Sequence, residues 1–200
     1  MKKYHLARGK TLLYLGSFAE WHSCHTLITA VSSLVAKDRD VHLLMVGDGK
    51  QRQTCMDLVE TLGLEKNIHF VGAIPFADVP SYINTADICL ALFDRTYPPF
   101  KKLDYYYSAI KIHEYKACQK PIIASNIGVL KELVVHRKHG LLVNEQHLSS
   151  VSKAISLLLT NKQLRTTLGK HARHDVQSSY TWDIINAKIL KELERRFVLP

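Results

Sequence analysis

A chain of 200 residues that is 46% apolar can bury a sizeable core as one domain, which excludes a small disulfide-stapled fold. Its four cysteines, Cys24, Cys55, Cys89 and Cys118, lie far apart and read as reduced thiols of a cytoplasmic protein. The net charge of +9 is spread along the sequence as a solvated surface; an anionic ligand or the inner face of a membrane, bound peripherally, is the minority reading, nucleic acid is disfavoured for want of a base-stacking motif, and no apolar run is long enough to span a bilayer.

Thr11 to Leu15 (TLLYL) reads as a strand ended by Gly16, followed by a helix from Trp21 to about Lys37 with Leu27, Ile28, Val31, Leu34 and Val35 at helical spacing. Val41 to Val46 is a second strand closed by Gly47-Asp48-Gly49, and a helix over about Gln51 to Leu62 stops at Gly63. Asn67 to Val71 is a third strand. Pro75 can open the next helix, which Val79, Tyr82 and Ile83 give an inner face, and Asp87 to Leu92 is a fourth strand. Phe93 to Tyr107 breaks the alternation with Pro98-Pro99, Lys101-Lys102 and Tyr105-Tyr106-Tyr107, and reads as a long functional loop.

From Ser108 the pattern resumes. Ser108 can N-cap a helix, with Lys111 at N3 and Glu114 three residues further along the same face; Pro121 ends it, and Ile122 to Ala124 is a short buried strand. After that come a short helix near Val129 to Val134, a turn at Arg137 to Gly140, the strand Leu141 to Val143, and helices near His147 to Leu159, Gln163 to Val176 and Tyr180 to Phe197. Strands apolar on both faces and alternating with helices predict an α/β fold: a doubly wound parallel sheet, Rossmann-like, in three α/β/α layers.

A helix start with a lysine in its first turn attracts phosphate, because the terminal N–H groups, the macrodipole and the ammonium all favour negative charge there. Glu114 stands about 4.5 Å further down the axis, roughly the step from a diphosphate to its ribose, and a carboxylate can accept both hydroxyls of a vicinal diol. These residues point to a nucleoside diphosphate. As a plain alternative, Lys111 and Glu114 form an exposed ion pair worth about 0.2 to 0.5 kcal/mol.

The order of motifs resembles the carboxy-terminal, donor-binding half of GT-B glycosyltransferases of the large retaining group 1 family. The matching pieces are Leu13 to Phe18 with Leu27 to Ala30, Leu44 to Gly49, Ile68 to Gly72, Ala86 to Ile88, Lys111 to Tyr115 with Lys120 to Ser125, and Glu132 with Gly140 to Val143, covering approximately residues 11 to 190. The resemblance implies that Glu114 binds the ribose diol and that Lys111 and the helix start at Ser108 hold the diphosphate. It implies that Gly16 and Ser17 close over the phosphates, and that Gly47, Asp48, Gly49, Gly72, Ala73 and Ile74 line the base pocket. The family often carries a second glutamate eight positions before the first, touching the donor sugar; Tyr106 stands there, so Tyr106 and Tyr107 are the donor-sugar candidates. Ser17 stands where an arginine is common, with Trp21-His22 near the usual lysine, which leaves more of the phosphate charge to Lys111.

The reaction implied is retaining hexosyl transfer from a nucleotide sugar to a glycan or lipid-linked acceptor, without a metal or other cofactor. Ten residues before the first strand leave no room for an amino-terminal acceptor domain, so the expectation is one donor domain over residues 1–200 that needs a separate acceptor domain or subunit and is inactive alone. A noncatalytic nucleotide-binding or interaction module, or half of a nucleotide-sugar epimerase, is the alternative. Residues 180–200 are expected to form a terminal helix for the absent domain, its distal part frayed or buried on a neighbouring copy and Trp182 anchoring its first turn. His22, Cys24 and His25 fit no standard zinc spacing and read as a helix start with Cys24 buried.

Overall fold

The structure, a computed structural model, describes residues 10–38, 40–107 and 109–197. The apolar runs form strands β1 (Thr11–Leu15), β2 (His42–Val46), β3 (Ile68–Gly72), β4 (Ile88–Ala91), β5 (Ile122–Ser125) and β6 (Gly140–Val143). They make one sheet in the order β3-β2-β1-β4-β5-β6, with every neighbouring pair parallel. Alternate residues of each strand enter opposite cores: Leu12 and Tyr14 pack on one face, Leu13 on the other. This burial on both faces is why the strands read as continuous apolar runs.

Helices α1 (Cys24–Val35), α2 (Arg52–Thr61), α7 (Leu148–Thr160) and α8 (Lys162–Ser179) supply the first core. Helices α3 (Val79–Thr85), α5 (Ile110–Ala117) and α6 (Leu130–Leu133) supply the second. The fold is the expected doubly wound, three-layer Rossmann-like sheet.

Three local expectations change. The segment after β4 is not all loop: Pro98 and Pro99 occupy the first turn of a helix, α4 (Pro98–Leu103), where a missing N–H and a fixed φ do no harm. Helix α5 begins at Ile110 with Ala109 at the N-cap and no side-chain cap, so Lys111 stands at N2 rather than N3; Ser108 lies outside the described residues. The last helix, α9 (Trp182–Arg196), is capped by Thr181, and none of its residues is buried. Trp182 is 81% exposed, so it does not anchor the first turn. The helix is continuous to Arg196, and residues 198–200 lie outside the described ones.

Candidate functional site

Strand β1 lies between β2 and β4, so the chain leaves its carboxyl end toward one side of the sheet while β4 leads to the other. In a doubly wound sheet this reversal opens a crevice at the carboxyl ends of the strands. The loop after β1, the segment after β4 and the start of α5 meet there around a cavity of about 510 Å³.

Lys111 occupies its floor. The residue keeps some surface, but its ammonium nitrogen is shut off from solvent and has no hydrogen-bond partner among the described residues. It lies over the rings of Tyr14 (4.9 Å to the centroid) and Phe93 (5.1 Å) and directly beneath Gly16, where an added Cβ would strike it. Burial lowers its pKa to about 8. A buried ammonium without an acceptor is costly unless an anion completes it, so the floor is built for negative charge. This also removes the surface ion-pair alternative: Lys111 and Glu114 feel each other's charge but form no salt bridge.

Glu114 is half-buried on the same cavity, and its carboxyl pKa is raised by burial and opposed by the nearby Lys111 charge. The fully buried Tyr115 fixes the helix that carries both: its hydroxyl accepts the N–H of Leu15 at 3.0 Å and donates to the carbonyl of Leu90 at 3.3 Å, bridging β1 and β4 where they diverge. Behind it the buried Lys116 pairs with Asp175 of α8 at 2.5 Å.

The glycines form the upper lip. Gly16 donates to the Val46 carbonyl at 3.0 Å, Gly47 to the Gly72 carbonyl at 2.9 Å, and Phe18 to the Asp48 carbonyl at 2.9 Å, lacing the loops after β1, β2 and β3 together. Gly16 (φ 147°) and Gly47 (φ 130°) both take left-handed backbone, and a side chain on Gly47 would collide with the Gly16 carbonyl. Gly16 and Ser17 line the cavity; Gly47, Asp48, Gly49, Gly72, Ala73 and Ile74 stand behind or beside that lip rather than on its lining.

The remaining wall is aromatic. Trp21, His22, Phe93, Tyr105 and Tyr107 line it, while Tyr106 lies behind Tyr107, half exposed. His22 is nearly buried against Phe93 (4.9 Å between centroids) with Nδ1 3.5 Å from Ser17 Oγ; burial and the Lys111 charge push its pKa down to about 3, so it is neutral. Cys24 is the buried first residue of α1, and among the described residues no three His, Cys, Asp or Glu side chains converge as metal ligands. The sequence assigns Phe93 no part, leaves Tyr105 to Tyr107 open between ordinary core and the lining of an acceptor groove, and places Trp21 in a helix. The available signal was position, since both segments follow strands that flank the sheet's reversal point.

A larger hollow of about 590 Å³ lies between α2 and β3, lined by Arg52, Asp57, Glu60, Glu65 and Phe70 among others. Its three carboxylates would repel a diphosphate, and it lies away from the reversal point, so the smaller cavity is the candidate site.

Residues 2–175 match the family described as glycosyl transferases group 1. The chain is 28% identical over 188 residues to the GDP-mannose-dependent alpha-(1-6)-phosphatidylinositol monomannoside mannosyltransferase of Mycobacterium tuberculosis, covering 94% of this chain and 48% of that protein. Among solved structures it resembles sucrose-phosphate synthase from Thermosynechococcus elongatus, with a TM-score of 0.81, 26% identity, and 98% of this chain and 48% of that one covered. It also resembles Anabaena HepE, solved in complex with UDP and glucose, with a TM-score of 0.84, 21% identity, and 97% and 50% covered. The chain therefore spans about half the length of these relatives. With the family match running through the sheet, the glycine lip and the Lys111-Glu114 helix alike, the chain belongs to the group 1 glycosyltransferases.

Proposed function

We propose that this chain is the donor-binding half of a retaining hexosyltransferase and takes a nucleoside diphosphate sugar into the cavity between Gly16 and α5. The observation that carries the reading is the ammonium of Lys111, buried without an acceptor beneath Gly16 and three residues from Glu114. In this reading the diphosphate completes Lys111 and the amides of Ile110 and Lys111 at the start of α5, the Ile112 amide being already bonded to the Ala109 carbonyl. Glu114 takes the ribose diol. The loops at Gly47–Gly49 and Gly72–Ile74 flank the base, and Ser108 adds to the phosphate end. The names of the mycobacterial relative and of the HepE complex support a nucleotide sugar.

In the reaction the bond from the sugar's anomeric carbon to the diphosphate oxygen breaks and a bond to an acceptor hydroxyl forms on the same face. The acceptor proton passes to the departing phosphate, whose developing charge faces Lys111. A second domain or subunit, covering the length the relatives have beyond this chain, supplies the acceptor side.

Calorimetric titration with UDP, GDP and ADP tests the reading. One of them should bind, binding should survive EDTA, and Glu114→Ala should weaken it by about 1.5 to 3 kcal/mol, the scale of hydrogen bonds to a charged group, with little change in thermal stability. A noncatalytic interaction module would bind none of the three.

A further inference from the structure

Apart from Tyr107, which the family resemblance places near the donor sugar, the nucleotide reading leaves the aromatic wall without a part. Trp21 and Tyr107 reach it from distant segments and meet at 6.1 Å between ring centroids, 32° apart in plane. Tyr97 backs Trp21 at 5.5 Å, and Tyr106 and Phe100 back Tyr107 at 4.6 and 5.8 Å.

The wall is held in place rather than draped over the cavity. His22 and Phe93 form an antiparallel bridge, Asp94 donates its N–H to the Trp21 carbonyl at 2.9 Å, and Ser23 donates to the Leu92 carbonyl at 3.3 Å, fastening the Trp21 loop to the segment after β4. That segment is tied in turn by Arg95, whose guanidinium makes two hydrogen bonds, at 2.8 and 3.1 Å, to the fully buried Glu145. At the other end the Tyr105 carbonyl accepts the Val129 N–H at 3.1 Å, against Gly128, where a side chain would not fit.

Position along α5 says what this wall meets. Lys111 precedes Glu114, so a diphosphate at Lys111 with its ribose at Glu114 runs down the helix axis. The substituent on its terminal phosphate then points the opposite way, past Ile110 and Ala109, toward Tyr107 and Trp21. Glu114 is the one acid among the described lining residues and stands at the other end, so no carboxylate there is available to hydrogen-bond sugar hydroxyls. An aromatic face carries negative charge density and attracts the polarised C–H groups on the apolar face of a pyranose while excluding water.

Resting on the nucleotide reading, we propose that Trp21, with Tyr107, is the sugar-discriminating platform of this chain, stacking on the apolar face of the hexose and selecting among hexoses by which of their faces is free of axial hydroxyls. The test uses a Trp182→Phe background, in which Trp21 is the sole tryptophan of the chain and reports by its own fluorescence. UDP, GDP and ADP are titrated against UDP-glucose, GDP-mannose and ADP-glucose. The matching nucleotide sugar should bind at least fivefold more tightly than its nucleoside diphosphate and shift the Trp21 emission. Trp21→Ala should abolish that increment while holding the affinity for the nucleoside diphosphate within twofold, and Trp21→Phe should restore part of it.

Equal weakening of both ligands by Trp21→Ala, or a sugar increment that survives it, overturns the proposal while leaving the nucleotide site standing. Should none of the six ligands bind, the donor-site reading fails and the platform with it. If Trp21→Ala does not fold, Tyr107→Ala decides by the same comparison, since that ring is 41% exposed and outside the core.

Discussion

At Lys111 the chain holds a charge where folding alone would not put one. Its pKa falls from 10.5 to about 8 on burial, a penalty of roughly 3 kcal/mol against the charged form. Between pH 8 and 10.5 the unfolded chain holds the proton and the folded chain has lost it, so stability should rise with pH across that window. Lys111→Met should therefore make the unliganded protein more stable at pH 7, by about 1 to 3 kcal/mol, while weakening diphosphate binding. Urea melts of both proteins at pH 7 and pH 10.5 check this, and the advantage of the methionine should shrink at the higher pH. A less stable variant at pH 7 would mean that the ammonium has a partner in the folded chain. That Lys111 and Glu114 share one face of a helix was legible in the sequence because it follows from helix geometry. The depth of the ammonium was not, because it depends on Gly16, nearly a hundred residues earlier.

Among the elements, α9 has an apolar side that the described residues leave mostly uncovered, with Ile184 and Ile185 partly buried. Trp182, Ile189, Leu190, Leu193 and Phe197 are between 46% and 81% exposed. Its main ties are local, such as the Glu192 pairs with Arg195 and Arg196 on its own surface, and pairs of that kind are worth a few tenths of a kcal/mol. Ending the chain after Tyr180 should therefore lower the stability of the sheet by less than about 1 kcal/mol, measured by the urea midpoint. A larger fall would show that α9 packs on the sheet layers in solution. Helical periodicity in the sequence gave away the apolar side of α9, yet it carries no information on what lies opposite; hence the misplaced Trp182. The same limit hid α4, since a Pro-Pro pair marks both a broken pattern and a helix start.

At the scale of the whole molecule, the order of the strands places the site, and the alternation of apolar runs and helices made that order readable: three strands wound one way and three the other require a crevice between β1 and β4. The aromatic wall was not readable, because loop residues show no periodicity and their neighbours come from remote parts of the chain. The Arg95–Glu145 pair joins two such parts. Arg95 retains 35% side-chain exposure and Glu145 none, so the two halves of the pair are unequal. Arg95→Ala leaves a buried carboxylate with the residue 95 backbone N–H but no cation and should cost about 2 to 4 kcal/mol, whereas Glu145→Ala frees an arginine that water can reach and should cost less. Denaturant unfolding of both variants measures the asymmetry, and equal losses would argue that packing, not charge, holds the clamp.

Between this clamp and the seat of Tyr105 on Gly128, residues 96–104 are bounded at both ends by contacts that their own side chains do not make. They form an exchangeable cassette. A library that varies this stretch, with Arg95, Glu145, Tyr105, Gly128 and the buried Phe100 kept, would alter what stands behind Trp21 without touching a strand, and on the proposed donor-site reading offers an engineer a direct route to changing sugar preference.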